Sequence, residues 1–523
     1  MIKKYLHNVI THERDFRLKL MGEGIIVGIF AGFLVVFFRL SLEKTEKFRH
    51  VVMDAISQKP GLLWIWFLLL IAAAFLVGYL LKKEPLISGS GIPQVEGQLM
   101  GKLDLNWLRI ILGKFAGVII SIAAGLSLGR EGPSIQLGAA VGQGVSRIFR
   151  RLKIEEKYLI TSGASAGLAA AFNAPLAGVM FSLEEVHRHF SPLILLSSMA
   201  ASLTADFISK QFFGLNPVFN FNEVTPLALN HYGYIVLLGI ITGLCGVIYN
   251  KTLLKTQDMY SKLKWLPAYY RPIIPFILAG VLIMILPQVL GGGHGIIDSL
   301  VHGSYGMKMM VIILLVKFVY SMISFGSGAP GGIFFPLLVM GALTGAIYGF
   351  ALENWFGFEN GYIENFIILA MAGYFTAIVR APITGSILIT EMTGSLSHLL
   401  SLSLISMVAY VTADFLRSEP IYESLLERIL KKVKKAEGDC ENKGKIIIEV
   451  PICMDSQIDN KKLKDVELPE NCLIVGIKRG NKEVIPRGNT TLLSGDILIL
   501  LVNENQEALI KDSLMKMCAK PAI

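Results

Sequence analysis

Apolar residues along this chain gather into runs near 22–41, 61–81, 107–128, 192–212, 231–253, 273–291, 308–325, 334–351 and 397–416. Between them fall shorter runs at 134–149, 158–172, 175–186, 364–378 and 381–392, several of them broken or bounded by Gly, Pro or Asn. A bilayer crossing takes about 20 apolar residues. The long runs therefore predict membrane helices, and the short ones predict broken helices that meet near the midplane around a binding site. After Arg417 the pattern changes. Tyr422 to Lys435 reads as a basic amphipathic helix and Ala436 to Gly444 as a polar linker. From Lys445 onward, short β-type runs at 446–450, 472–478 and 497–502 alternate with Gly-, Pro- and Asn-containing turns, and 506–518 predicts a closing helix. The expected fold is an α-helical polytopic membrane protein with a small α+β domain at its end. Its parts are an N-terminal helix over 1–20, a membrane domain over 21–435, a linker over 436–444 and a soluble domain over 445–523.

Composition agrees: 53% of the 523 residues are hydrophobic and 17% charged, and the mean hydropathy is +0.57. A single soluble core does not become so apolar. The net charge of +9 could suggest a nucleic-acid partner, but the basic residues stand at the ends of apolar runs: Lys82 and Lys83, Arg147 to Lys153, and Lys431 to Lys435. That is the positive-inside pattern of a membrane protein, so the charge reports topology and no nucleic acid is expected. Met1 to Arg17 has no continuous apolar core and predicts an interfacial helix on the cytoplasmic side instead of a cleaved signal. Of five cysteines, Cys245 lies in a membrane run and Cys440, Cys453, Cys472 and Cys518 lie in the tail without a CxxC pair, as for reduced thiols with no metal site.

One stretch places charge inside this apolar pattern. Gly129-Arg130-Glu131-Gly132-Pro133 stands between an apolar run and a helix of small residues. Ionisable groups at membrane depth face protein or a water-filled path, and Gly and Pro there let one helix end and another begin. A helix N-terminus attracts anions. Glu131 at such an end fits a gate on an anion path, and a buried Arg130–Glu131 pair joining two helices is the other reading. A repeat supports broken-helix architecture. Gly129 to Pro133 has a counterpart in Gly328-Ala329-Pro330-Gly331-Gly332. Asn173-Ala174-Pro175 followed by Glu184-Glu185 is echoed by Arg380-Ala381-Pro382 followed by Glu391. Two similar, inverted halves are expected.

Gly89-Ser90-Gly91-Ile92-Pro93, Gly129 to Pro133, Gly332-Ile333-Phe334-Phe335-Pro336 and Tyr422 occur in the order and approximate spacing of the CLC chloride channel and transporter family. The resemblance spans roughly residues 20–430. It implies a homodimer whose subunits each build an anion pathway from inverted repeats of tilted, broken helices. It also implies that Ser90 and Tyr422 bind chloride with the main-chain amides of Ile333 and Phe334, that Glu131 is the gating glutamate and that Glu185 is the inner proton-transfer glutamate of exchangers. By their own patterns, Ser90 reads as a turn serine, Tyr422 as an interfacial anchor and Glu184-Glu185 as a helix-end cap. Arg130 and Lys114 read either as pathway electrostatics or as structural counter-ions. Glu96 resembles the family's carboxylate paired with that lysine; Glu184, Arg380 and Glu391 read as structural, and His187 and His189 as solvated helix-end residues. Because Ser90 stands where nitrate-preferring relatives have Pro and the Arg-Glu-Gly motif is intact, the resemblance implies chloride as substrate.

The tail resembles a TrkA-C (RCK-C) regulatory domain, through Leu463 to Pro469, Ile474 to Arg479, Ile485 to Gly488 and Ser494 to Leu498. That resemblance implies dimerisation and a small-molecule pocket, with cyclic dinucleotides a plausible ligand class and Arg479 and Arg487 as phosphate-facing candidates. The expected function is a chloride/proton antiporter of the bacterial plasma membrane, with both termini cytoplasmic, regulated through its soluble domain. It is transport without an enzymatic step or cofactor. The competing readings are a passive chloride channel of the same fold, a potassium-uptake protein and a receptor that does not transport. The potassium reading is disfavoured because no TVGYG-type filter loop is present.

Overall fold

The computed structural model describes the chain apart from residues 1, 189, 220, 222–223, 359–360, 437–444, 454–455, 467, 470–471, 481, 504–509, 511–512, 515–516 and 519–523. His189, Cys440, most of the expected linker and much of the expected closing helix lie outside the described residues. The chain divides into two compact units, 1–431 and 432–523.

The first unit contains two matching sets of eight helices. The first set is α1 (Ile2–Gln58), α2 (Leu62–Lys83), α3 (Ile92–Leu99), α4 (Trp107–Ala123), α5 (Glu131–Ile148), α6 (Lys153–Phe172), α7 (Pro175–Phe181) and α8 (Pro192–Phe213). The second is α9 (Tyr232–Lys262), α10 (Ile273–Ile285), α11 (His294–Val301), α12 (Met307–Gly326), α13 (Phe334–Phe356), α14 (Ile363–Val379), α15 (Pro382–Thr393) and α16 (Leu399–Phe415). A last helix, α17 (Ile421–Ala436), follows. Among the described residues, eight helices are long and apolar enough to cross a membrane. The short helices α3 and α11 are additions to the sequence reading: eight residues carry too few turns to show a period. In α1, helix continues without a break from the expected N-terminal segment through the apolar run to Gln58.

Small residues let the broken helices pack at backbone distance. A methyl group on Gly138 would stand 2.1 Å from the Gly163 carbonyl oxygen, and one on Gly142 2.0 Å from that of Leu159, so α5 and α6 touch without side chains between them. The second half repeats this, with Gly345 of α13 against the Phe366 carbonyl of α14. Every residue from Glu131 to Ser146 and from Asn365 to Val379 is buried. These helices are short for a crossing because they are enclosed by protein. Both α6 and α14 stop at a left-handed residue, Asn173 (φ 54°) and Arg380 (φ 73°), each followed by Ala-Pro, which starts the next helix.

The two halves also cap one another. Glu391 of α15 accepts from the first amides of α7, Leu176 N at 3.1 Å and Ala177 N at 2.8 Å. Glu184, nine residues after Pro175 as Glu391 is nine after Pro382, accepts from Ile383 N at 3.2 Å and Thr384 N at 2.7 Å at the start of α15. Such reciprocity is what a pseudo-two-fold axis produces.

The second unit holds a four-stranded antiparallel sheet in the order β1-β4-β2-β3, with β1 (Lys445–Pro451), β2 (Cys472–Arg479), β3 (Lys482–Val484) and β4 (Ile497–Asn503). Three strands fall on the expected runs. Strand β3 does not, because three residues at a sheet edge give no alternation to read. Its core joins Val450, Ile477, Leu498, Leu500 and Val502 to Ile510, Leu514 and Cys518, the last three at helical spacing.

Candidate functional site

Three chain turns of the first unit converge. Gly129 and Gly332 exchange backbone hydrogen bonds, each N–H donating to the other carbonyl at 2.7 Å. Gly331 N donates to the Gly89 carbonyl at 3.0 Å. These contacts clamp together the loops that lead into α3, α5 and α13. Gly91 sits at φ 100° and Gly331 at φ 151°, backbone shapes that a side chain disfavours. Two buried lysines brace the loops. Lys114 Nζ donates to the carbonyls of Ile87 (2.9 Å) and Gly89 (2.6 Å), and Lys317 Nζ does the same to Val289 (2.9 Å) and Gly291 (2.7 Å). Lys114 is therefore tied to the Ser90 loop, and Glu96 does not pair with it. The partner of Glu96 is Arg188, at 3.1 Å.

Ser90 precedes α3, and its Oγ lies against Gly132 of α5, where an added methyl would come within 2.3 Å. Tyr422, second residue of α17, is fully buried and packs edge-on to Phe181 at 6.5 Å between ring centres. Phe334 joins that aromatic wall through Phe172, Phe181 and Phe375. The Ser90 and Tyr422 hydroxyls face each other, and neither has a further hydrogen-bond partner among the described residues; Tyr422 also lies within electrostatic range of Glu131 and Glu185. These two buried hydroxyls and the amides of Ile333 and Phe334, which as the first of α13 have no partner within their helix, make a set of neutral donors.

Glu131 opens α5 and its side chain is 0% exposed, with Arg130 Nε 3.9 Å away. Its carboxylate stands beside Gly129 and the amide end of α13 around Phe335. It also lines a cavity with Glu46, Arg130, Gly292 and His294. Glu185 lies within the π-helical turn Ser182–Val186 that follows α7, with its side chain 6% exposed. The structure thus brings Ser90, Glu131, Ile333, Phe334, Tyr422 and Glu185 to one region, with Arg130 and Lys114 in the surrounding frame. Arg380 ties α16 to the loop that leads into α17 by donating to the carbonyls of Tyr410 (2.6 Å) and Ser418 (2.7 Å). His187 is not merely solvated, since its Nδ1 is 3.0 Å from Thr161 Oγ1.

Three residues at the site escaped the sequence reading. Lys317 is the second-half counterpart of Lys114. His294, whose ring lies 3.7 Å from that of Phe335, follows Gly291-Gly292-Gly293, the counterpart of Gly89-Ser90-Gly91. Aligning the two halves would have exposed both. Arg188 had no such signal, because its partners come from distant helices.

In the second unit, Arg479 is 38% exposed and engaged by a carboxylate. Its Nε and Nη2 each donate at 2.8 Å to the carboxylate of buried Asp496, and Nη2 also donates to Thr491 O at 2.7 Å. This fork joins the end of β2 to the turn ahead of β4. Arg487 is exposed.

Two repeats of enclosed, broken helices whose N-terminal ends meet at buried neutral donors define a polytopic membrane protein of the inverted-repeat transport class. The family model described as voltage gated chloride channel matches residues 73–414, and the TrkA-C domain model matches 447–515. The chain belongs to the CLC chloride channel and transporter family and carries a TrkA-C domain. It is 34% identical to the H(+)/Cl(-) exchange transporter ClcA of Vibrio cholerae, covering 79% of this chain and 90% of that one. To the protein of the same name from Yersinia pseudotuberculosis it is 32% identical, over 79% and 88%. The crystal structure of a slow cyanobacterial Cl-/H+ antiporter superimposes with a TM-score of 0.74 at 30% identity, covering 79% of this chain and 98% of that chain. A CLC-type fluoride/proton antiporter shares the fold at 24% identity and a TM-score of 0.65.

Proposed function

We propose that this protein is a chloride/proton antiporter of the bacterial plasma membrane, dimeric, with both termini in the cytoplasm. The observation that carries the reading is that two buried carboxylates, Glu131 and Glu185, both lie within electrostatic reach of the buried Tyr422 hydroxyl at convergent helix N-termini. Chloride sheds part of its hydration and is held by Ser90 Oγ, Tyr422 OH and the amides of Ile333 and Phe334. Neutral donors hold a halide without trapping it. When ionised, the Glu131 carboxylate occupies the anion position at the start of α13, where the helix dipole favours negative charge. Protonation removes that charge and lets chloride take its place. Glu185 exchanges the proton with the opposite side. Exchange in the named relatives supports this assignment. The basic residues flanking α2, α5 and α17 support cytoplasmic placement of those ends.

Regulation through the TrkA-C domain follows from covalent continuity. Helix α17 carries Tyr422 in its first turn and ends where the chain leaves for the soluble unit, so ligand binding there, with a cyclic dinucleotide as candidate, would act on the chloride site through α17.

The test is chloride-driven proton movement in proteoliposomes. An outward chloride gradient should drive protons uphill in the wild type. Glu185→Gln should keep chloride flux and lose proton flux, and Glu131→Gln should abolish coupling. Chloride movement without proton counter-movement in the wild type would replace this reading with a passive channel.

A further inference from the structure

Arg188 follows the turn that carries Glu185 and adopts φ 56°, a left-handed shape unusual for a residue with a side chain. Its guanidinium is met by carboxylates from three elements. Nη2 lies 3.1 Å from Glu96 Oε1 of α3 and 3.6 Å from Glu185 Oε1, while Nη1 lies 2.9 Å from Glu423 Oε1 of α17. Nε donates to the Glu185 carbonyl at 3.2 Å, fixing the fork to the turn itself. Exposure grades the three acids: the Glu96 side chain is 1% exposed, Glu185 6% and Glu423 47%. The charged and titratable groups facing Glu185 are Arg188, Glu96, Glu184, Glu423 and Tyr422. Glu184 is engaged in capping α15. Of the three acids on the fork, Glu423 is the one that meets water.

We infer that Glu423 is the aqueous proton-exchange group for Glu185, and that Arg188 is the positioning residue that holds both carboxyls on one guanidinium. This rests on the antiport reading. A hydronium ion gives its proton to the Glu423 carboxylate, which loosens that arm of the fork. The proton then passes to the Glu185 carboxylate, directly or through one water, and Glu423 returns to its ionised form on Nη1. One positive charge faces three carboxyls, so the cluster favours holding a proton, and moving it from one carboxyl to another leaves the cluster's net charge unchanged. In a low-dielectric site such charge-conserving transfer avoids the large electrostatic cost of bringing in an uncompensated charge.

The full-length protein in liposomes tests this by parallel recording of chloride and proton flux across a pH series. Glu423→Gln should lower proton flux relative to chloride flux by about tenfold or more, with monodisperse elution as the folding check. Glu423→Asp should restore much of the flux. Glu423→His should restore it with the pH profile displaced toward neutrality, because imidazole titrates near 6.5 and a glutamate near 4.3. A purely structural Glu423 would not move the profile. Arg188→Gln should reduce coupling in the same direction, and Arg188→Lys less. Wild-type coupling and pH profile in both Glu423→Gln and Glu423→His would overturn the assignment. Absence of proton movement in the wild type would overturn the antiport reading itself, and this route with it.

Discussion

At the scale of single residues, the proposed chloride site depends on the absence of a side chain at Gly132. A methyl group there would stand 2.3 Å from Ser90 Oγ and 3.0 Å from the Ser90 carbonyl oxygen, so the hydroxyl must rotate out of its place. Gly132→Ala gains helix propensity of up to about 1 kcal/mol, which works against any loss of fold. We expect it to purify as a folded protein and to bind chloride about tenfold or more weakly by calorimetry, the loss of one hydrogen bond to a charged group. Much of the candidate site was legible. Glu131, Ser90 and the 333–334 amides sit in Gly- and Pro-marked turns, and such turns are local properties of a chain. Arg188 was not legible: an arginine after Glu-Glu-Val-His looks like any solvated helix end until α3 and α17 bring Glu96 and Glu423 to it.

At the scale of elements, the reciprocal caps of α7 and α15 join the halves. Replacing Glu184 or Glu391 by Ala leaves two backbone amides without their acceptors, at about 1–3 kcal/mol for each unsatisfied group. Each variant should melt several degrees below the wild type in detergent, followed by fluorescence-detected gel filtration. Gln, which keeps an acceptor oxygen, should lose less. The apolar runs predicted nearly every long helix, because 20 residues give a period that outweighs local exceptions. Helices α3 and α11 and strand β3 were hidden by their length. The repeat Asn173-Ala174-Pro175 and Arg380-Ala381-Pro382 pointed to matching breaks, and the structure shows both as left-handed helix ends.

At the scale of the whole molecule, the two units answer to different physics. In the sheet domain, burial pushes the Asp496 carboxyl up, but hydrogen bonds from Arg479 and the Leu493 amide, with the Arg479 charge, outweigh it and hold the group below the ordinary aspartate value. A depressed folded-state value stabilises the fold above the unfolded value of about 3.9, and that contribution disappears as pH falls through the folded value. The urea midpoint of residues 445–523 expressed alone should therefore drop on acidification below about pH 4. Asp496→Asn should remove most of this dependence while lowering the midpoint at pH 7. In the membrane unit the buried charged groups, such as Lys114, Lys317 and Glu96, have no equivalent freedom and must find partners within the fold.

The sequence by itself determined the division into membrane and soluble parts, the repeat and the ordered motifs that place this chain in its family. Each rests on hydrophobic period or on Gly and Pro, which act within a few residues. Only the tertiary structure decided which charges meet. It gave Lys114 the carbonyls of Ile87 and Gly89 instead of Glu96, paired Arg479 with Asp496, and set three carboxylates on Arg188. Charges act across space and not along the chain, so their partners exist only once helices far apart in sequence have packed.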